Sequence, residues 1–263
     1  MTALQQAPAP VRILWSMSSK MHNQGDPYVE SAVRAYEGCA NFGPHTLFIS
    51  ERECERNGLD GVTVLVIPKA LALSDGAFRA IDRYIQGGGV TIRQGNPFPY
   101  DQQGISRTEV LSVSTRTILM RSEDTARAYL DALDAAYDFE GMESPPRPVN
   151  DFDYPIDGVK SRFAIHERVP YLYLVNLRDG PVRVKLAGTY AAGIDLVSGN
   201  RIDFPDAVDP LTPMIIQLDE SAAPAKIASN ANADAVPSVN LKPVVDESES
   251  KKSETKSTLR HGR

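Results

Sequence analysis

The chain has few of the residues that build most recognisable sites. Two cysteines in 263 residues, Cys39 and Cys54, cannot make a disulfide framework. The four histidines, His22, His45, His166 and His261, do not cluster with them, so no Cys/His metal site can be drawn. No cofactor or metal is expected. A single tryptophan and 7% aromatic residues leave little ring surface for stacking on sugars. A net charge of −6 argues against nucleic acid, whose phosphates call for a basic face. No run approaches the ~18 apolar residues of a membrane span. Residues 1–10 lack both the basic start and the apolar stretch of a signal peptide, so a cytoplasmic location is expected.

What remains is a chain with 42% hydrophobic and 24% charged residues, long enough for one large domain or two small ones. Residues 220–263 contain no aromatic residue and no sustained apolar period, and their seven basic and six acidic side chains nearly cancel. Such sequence buries too little surface to offset chain entropy, which predicts a disordered tail. A second boundary lies at residues 144–155, where Pro145, Pro146, Pro148 and Pro155 favour an extended linker. The expected layout is an α/β domain over 1–143, a linker over 144–155, a small β-sandwich over 156–219 and the tail.

Strand and helix signals alternate in the first region. Apolar runs at 11–15, 46–49, 62–67 and 90–93 read as buried parallel strands. Between them Asp26-Pro27 caps a helix carrying Val29, Val33, Tyr36 and Ala40 at helical spacing, and Gly43 ends it. Ser50 and Glu53 form a capping box, and Ser74 caps a helix presenting Phe78, Ile81 and Ile85 until Gly87-Gly88-Gly89 stops it. A further helix from about Ser122 to Phe139 stripes Ala126, Tyr129, Leu130, Leu133 and Tyr137. This alternation predicts a doubly wound parallel sheet of flavodoxin-like order. After the linker, short runs at 171–176, 182–186, 194–196 and 214–218 are separated by turn signals, which suits an antiparallel β-domain.

In an open parallel sheet, ligands bind beyond the carboxyl ends of the strands. Those positions here are Ser16 to Lys20, Pro68-Lys69 and Gln94-Gly95-Asn96-Pro97. None has the glycine spacing of a phosphate cradle, and no GxSxG or GxCxG supplies a nucleophile elbow. Cys39 and Cys54 both fall inside helices, and neither His45 nor His166 has an evident Ser or Cys partner. Glu140, Glu143, Asp151 and Asp153 lie in or beside the linker, where carboxylates are usually solvated. The residues left for binding are Trp15, Ser16, Ser18, Lys69 and Asn96, a set suited to carbohydrate.

Several segments, taken in order, resemble a known family. Val11-Arg12-Ile13-Leu14-Trp15-Ser16 leads to Ala35-Tyr36-Glu37-Gly38, then Leu47-Phe48-Ile49-Ser50-Glu51-Arg52 and Val64-Leu65-Val66-Ile67-Pro68. Leu73-Ser74-Asp75 and Tyr84-Ile85-Gln86-Gly87-Gly88-Gly89-Val90 follow. Together these are similar to the trimerisation domain of family 42 β-galactosidases, which has a class I glutamine-amidotransferase-like fold. Residues 171–177 and 193–199 resemble the small β-domain that ends those enzymes.

The resemblance covers about residues 11–219 and departs from the family in one large respect. The family's catalytic glutamates stand on a preceding (β/α)8 barrel, for which this chain has no room, so no catalytic residue carries over. The resemblance implies a non-catalytic homo-oligomer, a trimer by analogy, supporting a separate glycosidase barrel subunit. A carbohydrate-binding module, a small hydrolase or amidotransferase with an unfamiliar site, and a fragment of a split reading frame are the alternatives.

Overall fold

A computed structural model describes residues 9–22, 28–120 and 124–219. The predicted Asp26-Pro27 cap, the start of the helix near Ser122 and the whole predicted tail lie outside them.

Five parallel strands form the first sheet: β1 (Val11–Trp15), β2 (Thr46–Ser50), β3 (Val64–Ile67), β5 (Val90–Gln94) and β7 (Thr117–Met120). Their order is β2-β1-β3-β5-β7, the flavodoxin-like arrangement, with the switch point between β1 and β3. The short strands β4 (Ala72–Leu73) and β6 (Tyr100–Asp101) pair with each other beyond the sheet. Among the described residues five helices accompany them: α1 (Met17–His22), α2 (Tyr28–Phe42), α3 (Glu51–Glu55), α4 (Asp75–Gln86) and α5 (Ala126–Glu140). Caps act where local chemistry dictates. Ser50 and Glu53 close a reciprocal box on α3, and the Ser74 and Thr125 hydroxyls accept from the third residues of α4 and α5.

Each sheet face carries its own core. Leu14, Leu65 and Ile67 pack under Phe78, Ile81 and Ile85 of α4. On the opposite face, Val11, Ile13, Val64, Val66, Val90 and Ile92 pack under α2 and α5. These two helices approach closely at Gly38, where a Cβ would lie 2.5 Å from the Ala126 carbonyl oxygen and 2.6 Å from Tyr129 Cβ.

The structure corrects the sequence reading of α2. Val29, Val33 and Tyr36 point outward, and the buried side is Tyr28, Ala32, Ala35, Cys39 and Phe42. Both stripes have helical spacing. Close packing against α5 selects the one built mainly of small residues around Gly38.

The remaining strands build antiparallel sheets. One runs β13 (Arg201–Asp203), β12 (Ala192–Asp195), β15 (Met214–Leu218), β10 (Val169–Asn176) and β9 (Val159–His166). The other runs β14 (Asp206–Val208), β11 (Val182–Ala187) and β8 (Arg147–Val149). Leu172, Leu174, Val184, Leu186 and Ile216 fill the core of this region. The proline-rich stretch thus contributes β8, which pairs with β11; Pro148 is accommodated because β8 is an edge strand.

The α/β and β regions are tied directly. Phe163 N–H donates to the Gly43 carbonyl (3.2 Å), and the Arg147 guanidinium lies 5.0 Å from the Phe42 ring centroid.

Candidate functional site

At the switch point between β1 and β3 the sheet ends in a cluster of polar side chains. The Ser16 hydroxyl is fully buried, within 2.9 Å of Glu51 Oε1 and 2.8 Å of the Ala72 carbonyl oxygen. Glu51 also accepts from Ser18 N–H (2.8 Å), the Ser18 hydroxyl (3.0 Å) and Ser74 N–H (2.9 Å). Ser19 donates its hydroxyl to the Ala72 carbonyl and accepts from Ala72 N–H. Tyr28 bridges Ser16 N–H and the Leu14 carbonyl, and burial pushes its phenol pKa well up. One carboxylate therefore fastens the β1 loop to α3 and to the start of α4. The hydroxyls of Ser16 and Ser18 are engaged in that lattice.

Trp15 is half-buried on the other side of the same loop. Its ring meets Tyr28 (6.0 Å) and Phe48 (5.7 Å), and Lys20 Nζ lies 5.8 Å from its centroid. Phe48 in turn stacks on Tyr36.

Lys69 and Asn96 stand apart from these three residues and are brought together. Both are exposed, and with Gln94, Gly95, Pro97 and Met120 they line an open hollow of about 330 Å³ at the carboxyl ends of β3, β5 and β7. Arg93, one residue before that loop, turns to the α4 side of the sheet with Ile67 and is only 2% exposed, with Nε and Nη1 unpartnered. Burial lowers its pKa. The sequence reading passed over Arg93 as an ordinary strand residue and took Glu51 only as part of a helix start.

Neither cysteine is placed for nucleophilic work. Both are buried, which raises both thiols and pushes Cys54 to about 12, with the surrounding glutamates adding to the effect. Among the described residues no group of three or more His, Cys, Asp or Glu could hold a metal ion. No described helix is long and apolar enough to cross a membrane.

No protein-family model matches the chain, and no curated protein does. Solved structures do. The exo-carrageenase GH42 from Bacteroides ovatus superposes with a TM-score of 0.63 at 17% identity, over 80% of this chain and 29% of that one. The β-galactosidase from Bacillus circulans sp. alkalophilus gives 0.60 at 12% identity over 81% and 42%, and that from Rahnella sp. R3 gives 0.57 at 12% over 80% and 41%. The fold is that of a segment of GH42 enzymes. The match spans less than half the length of each of these three proteins, and at these identities the likeness is one of fold. The resemblance seen in the ordered strand and helix segments is thus matched by the three-dimensional arrangement of the fold.

Proposed function

We propose that this chain is the oligomerising, non-catalytic portion of a β-galactosidase-like glycoside hydrolase, holding copies of itself together and supporting a separate barrel subunit. The observation that carries this reading is an apolar face on α2 and β2. Val29, Val33, Tyr36 and Phe48 are each between 40% and 49% exposed, and Phe48 joins them to Trp15 through ring contacts. Continuous apolar surface of this kind marks interaction sites. It adjoins β2, an edge strand that pairs with β1 on one side only and leaves its other backbone edge open for a neighbour. A second copy of the chain supplies the same apolar side chains and the same open edge.

Light scattering on the purified chain tests the proposal. The wild type is expected to run as an oligomer and Val33→Asp as a folded monomer with an unchanged circular dichroism spectrum. A monomeric wild type overturns it. For the barrel subunit, tagged chain recovered from its own cells should bring down β-galactoside-hydrolysing activity that recombinant chain alone lacks. Hydrolysis by the recombinant chain itself at ~1–10³ s⁻¹ would show that it is an enzyme.

A further inference from the structure

A second hollow lies at the amino-terminal end of the parallel sheet, away from the Ser16–Glu51 cluster. It is an open cleft of about 370 Å³, within the ~300–1,000 Å³ typical of small-molecule sites. Pro10, before β1, Pro44, before β2, and Pro145, after α5, line it together with the rings of Tyr137 in α5 and Phe163 in β9. The Phe163 N–H bond to the Gly43 carbonyl holds β9 beside the Pro44 turn.

Tyr137 sets this cleft apart. It is only 5% exposed, and its ring meets Phe42 edge-on with centroids 4.8 Å apart. Its hydroxyl makes no hydrogen bond among the described residues, and burial, with Cys39 nearby, holds the phenol pKa well up. The hydroxyls of two other buried tyrosines are taken: Tyr28 bonds to Ser16 and Leu14, and Tyr129 to Ser31. A buried phenol placed only for packing normally finds such a partner. Among the described residues, the enclosed side-chain atoms that lack a partner are all arginine nitrogens. The Tyr137 oxygen therefore keeps accessible surface, and the space on which Tyr137 opens is this cleft.

The walls limit what can bond to that hydroxyl. Prolines have no N–H and phenylalanine has no polar side-chain atom, so few donors face the cleft. A sugar would leave most of its hydroxyls unsatisfied there. Exposed Glu143, also on the lining, repels anions, and His45 beside it on the lining is already engaged. The edges and faces of Tyr137 and Phe163 suit a flat aromatic ring. We propose that this cleft binds a small uncharged phenol, its ring against the prolines and Phe163 and its hydroxyl bonded to that of Tyr137. This assignment is independent of the apolar α2–β2 face and of the oligomeric state.

Ligand-observed NMR titration of the full chain tests it, with phenol, toluene and galactose as probes. Phenol and toluene are expected to bind, and galactose is not. Tyr137→Phe removes only the unpartnered oxygen and keeps the ring on Phe42, so the melting temperature should not fall. The same change should weaken phenol binding roughly fivefold and leave toluene binding unchanged, a split that loss of packing would not give. Ile165→Asp, at an exposed position on the lining, should weaken both aromatic probes roughly tenfold. The proposal is overturned if phenol does not bind the wild type, if galactose binds as tightly, or if Tyr137→Phe binds phenol as the wild type does. Should Tyr137→Phe fail to fold, undiminished phenol binding by Ile165→Asp overturns it.

Discussion

At the scale of single residues, the long-range roles of polar side chains were the least legible part of the sequence. Ser50 and Glu53 announce a capping box because both partners lie within one turn. Glu51, beside them, bonds to Ser16, Ser18 and Ser74, two of which lie more than 30 positions away, and no local pattern encodes that. Asp195 is another such residue. Its carboxylate accepts from Val197 and Ser198 N–H, from the Ser198 hydroxyl at 2.6 Å, and from Ile215 N–H, fastening the turn after β12 to β15. Desolvation alone would raise its pKa, but these four hydrogen bonds together hold it below the ordinary carboxyl value. Because the folded value is depressed, the stabilisation is complete above the unfolded value near ~4 and is lost as pH falls through the lower folded value. Asp195→Asn should therefore cost about 2 kcal/mol at neutral pH, and the gap from wild type should narrow below about pH 4. Urea denaturation at pH 7 and pH 3 measures both; an equal gap at the two pH values would remove the charge from the explanation.

At the scale of elements, periodicity located most helices and strands but could not choose which face a helix buries. The stripes on α4 and α5 were read correctly, since each of those helices has one dominant apolar face. On α2 two candidate stripes compete, and the larger side chains of Val29, Val33 and Tyr36 suggested the wrong one. The deciding feature is Gly38, which lets α5 approach. Gly38→Ala adds helix propensity worth about 1 kcal/mol, yet its methyl would meet backbone at Ala126 and Cβ of Tyr129. The collision should win, for a net loss of about 1–2 kcal/mol, read as a lowered melting temperature. A rise in melting temperature would mean that the two helices part freely. β7 went unread for a different reason: it is a four-residue edge strand, none of whose residues is fully buried, so it lacks the dense apolar signature of its neighbours.

At the scale of the whole molecule, the α/β and β regions are in direct contact. The described residues fall within a single compact unit. Phe163 bonds to the chain at Gly43, and Arg147 both covers the Phe42 ring and lies 3.6 Å from Asp134. Differential scanning calorimetry should accordingly show one cooperative transition, with van't Hoff and calorimetric enthalpies in agreement. Two resolved transitions would show that the regions unfold separately. The sequence by itself determined the doubly wound class and the antiparallel character of the second region, because those follow from the apolar period, caps and turns that neighbouring residues set locally; the flavodoxin-like order expected from that alternation is realised by pairings between distant strands. Only the tertiary structure decided that Ser16 and Ser18 serve Glu51, that Lys69 and Asn96 share a hollow, and that the Val33 and Tyr36 face of α2 is left open. Each of those outcomes depends on which distant segments come within a few ångströms of one another, and that is fixed by packing rather than by spacing along the chain.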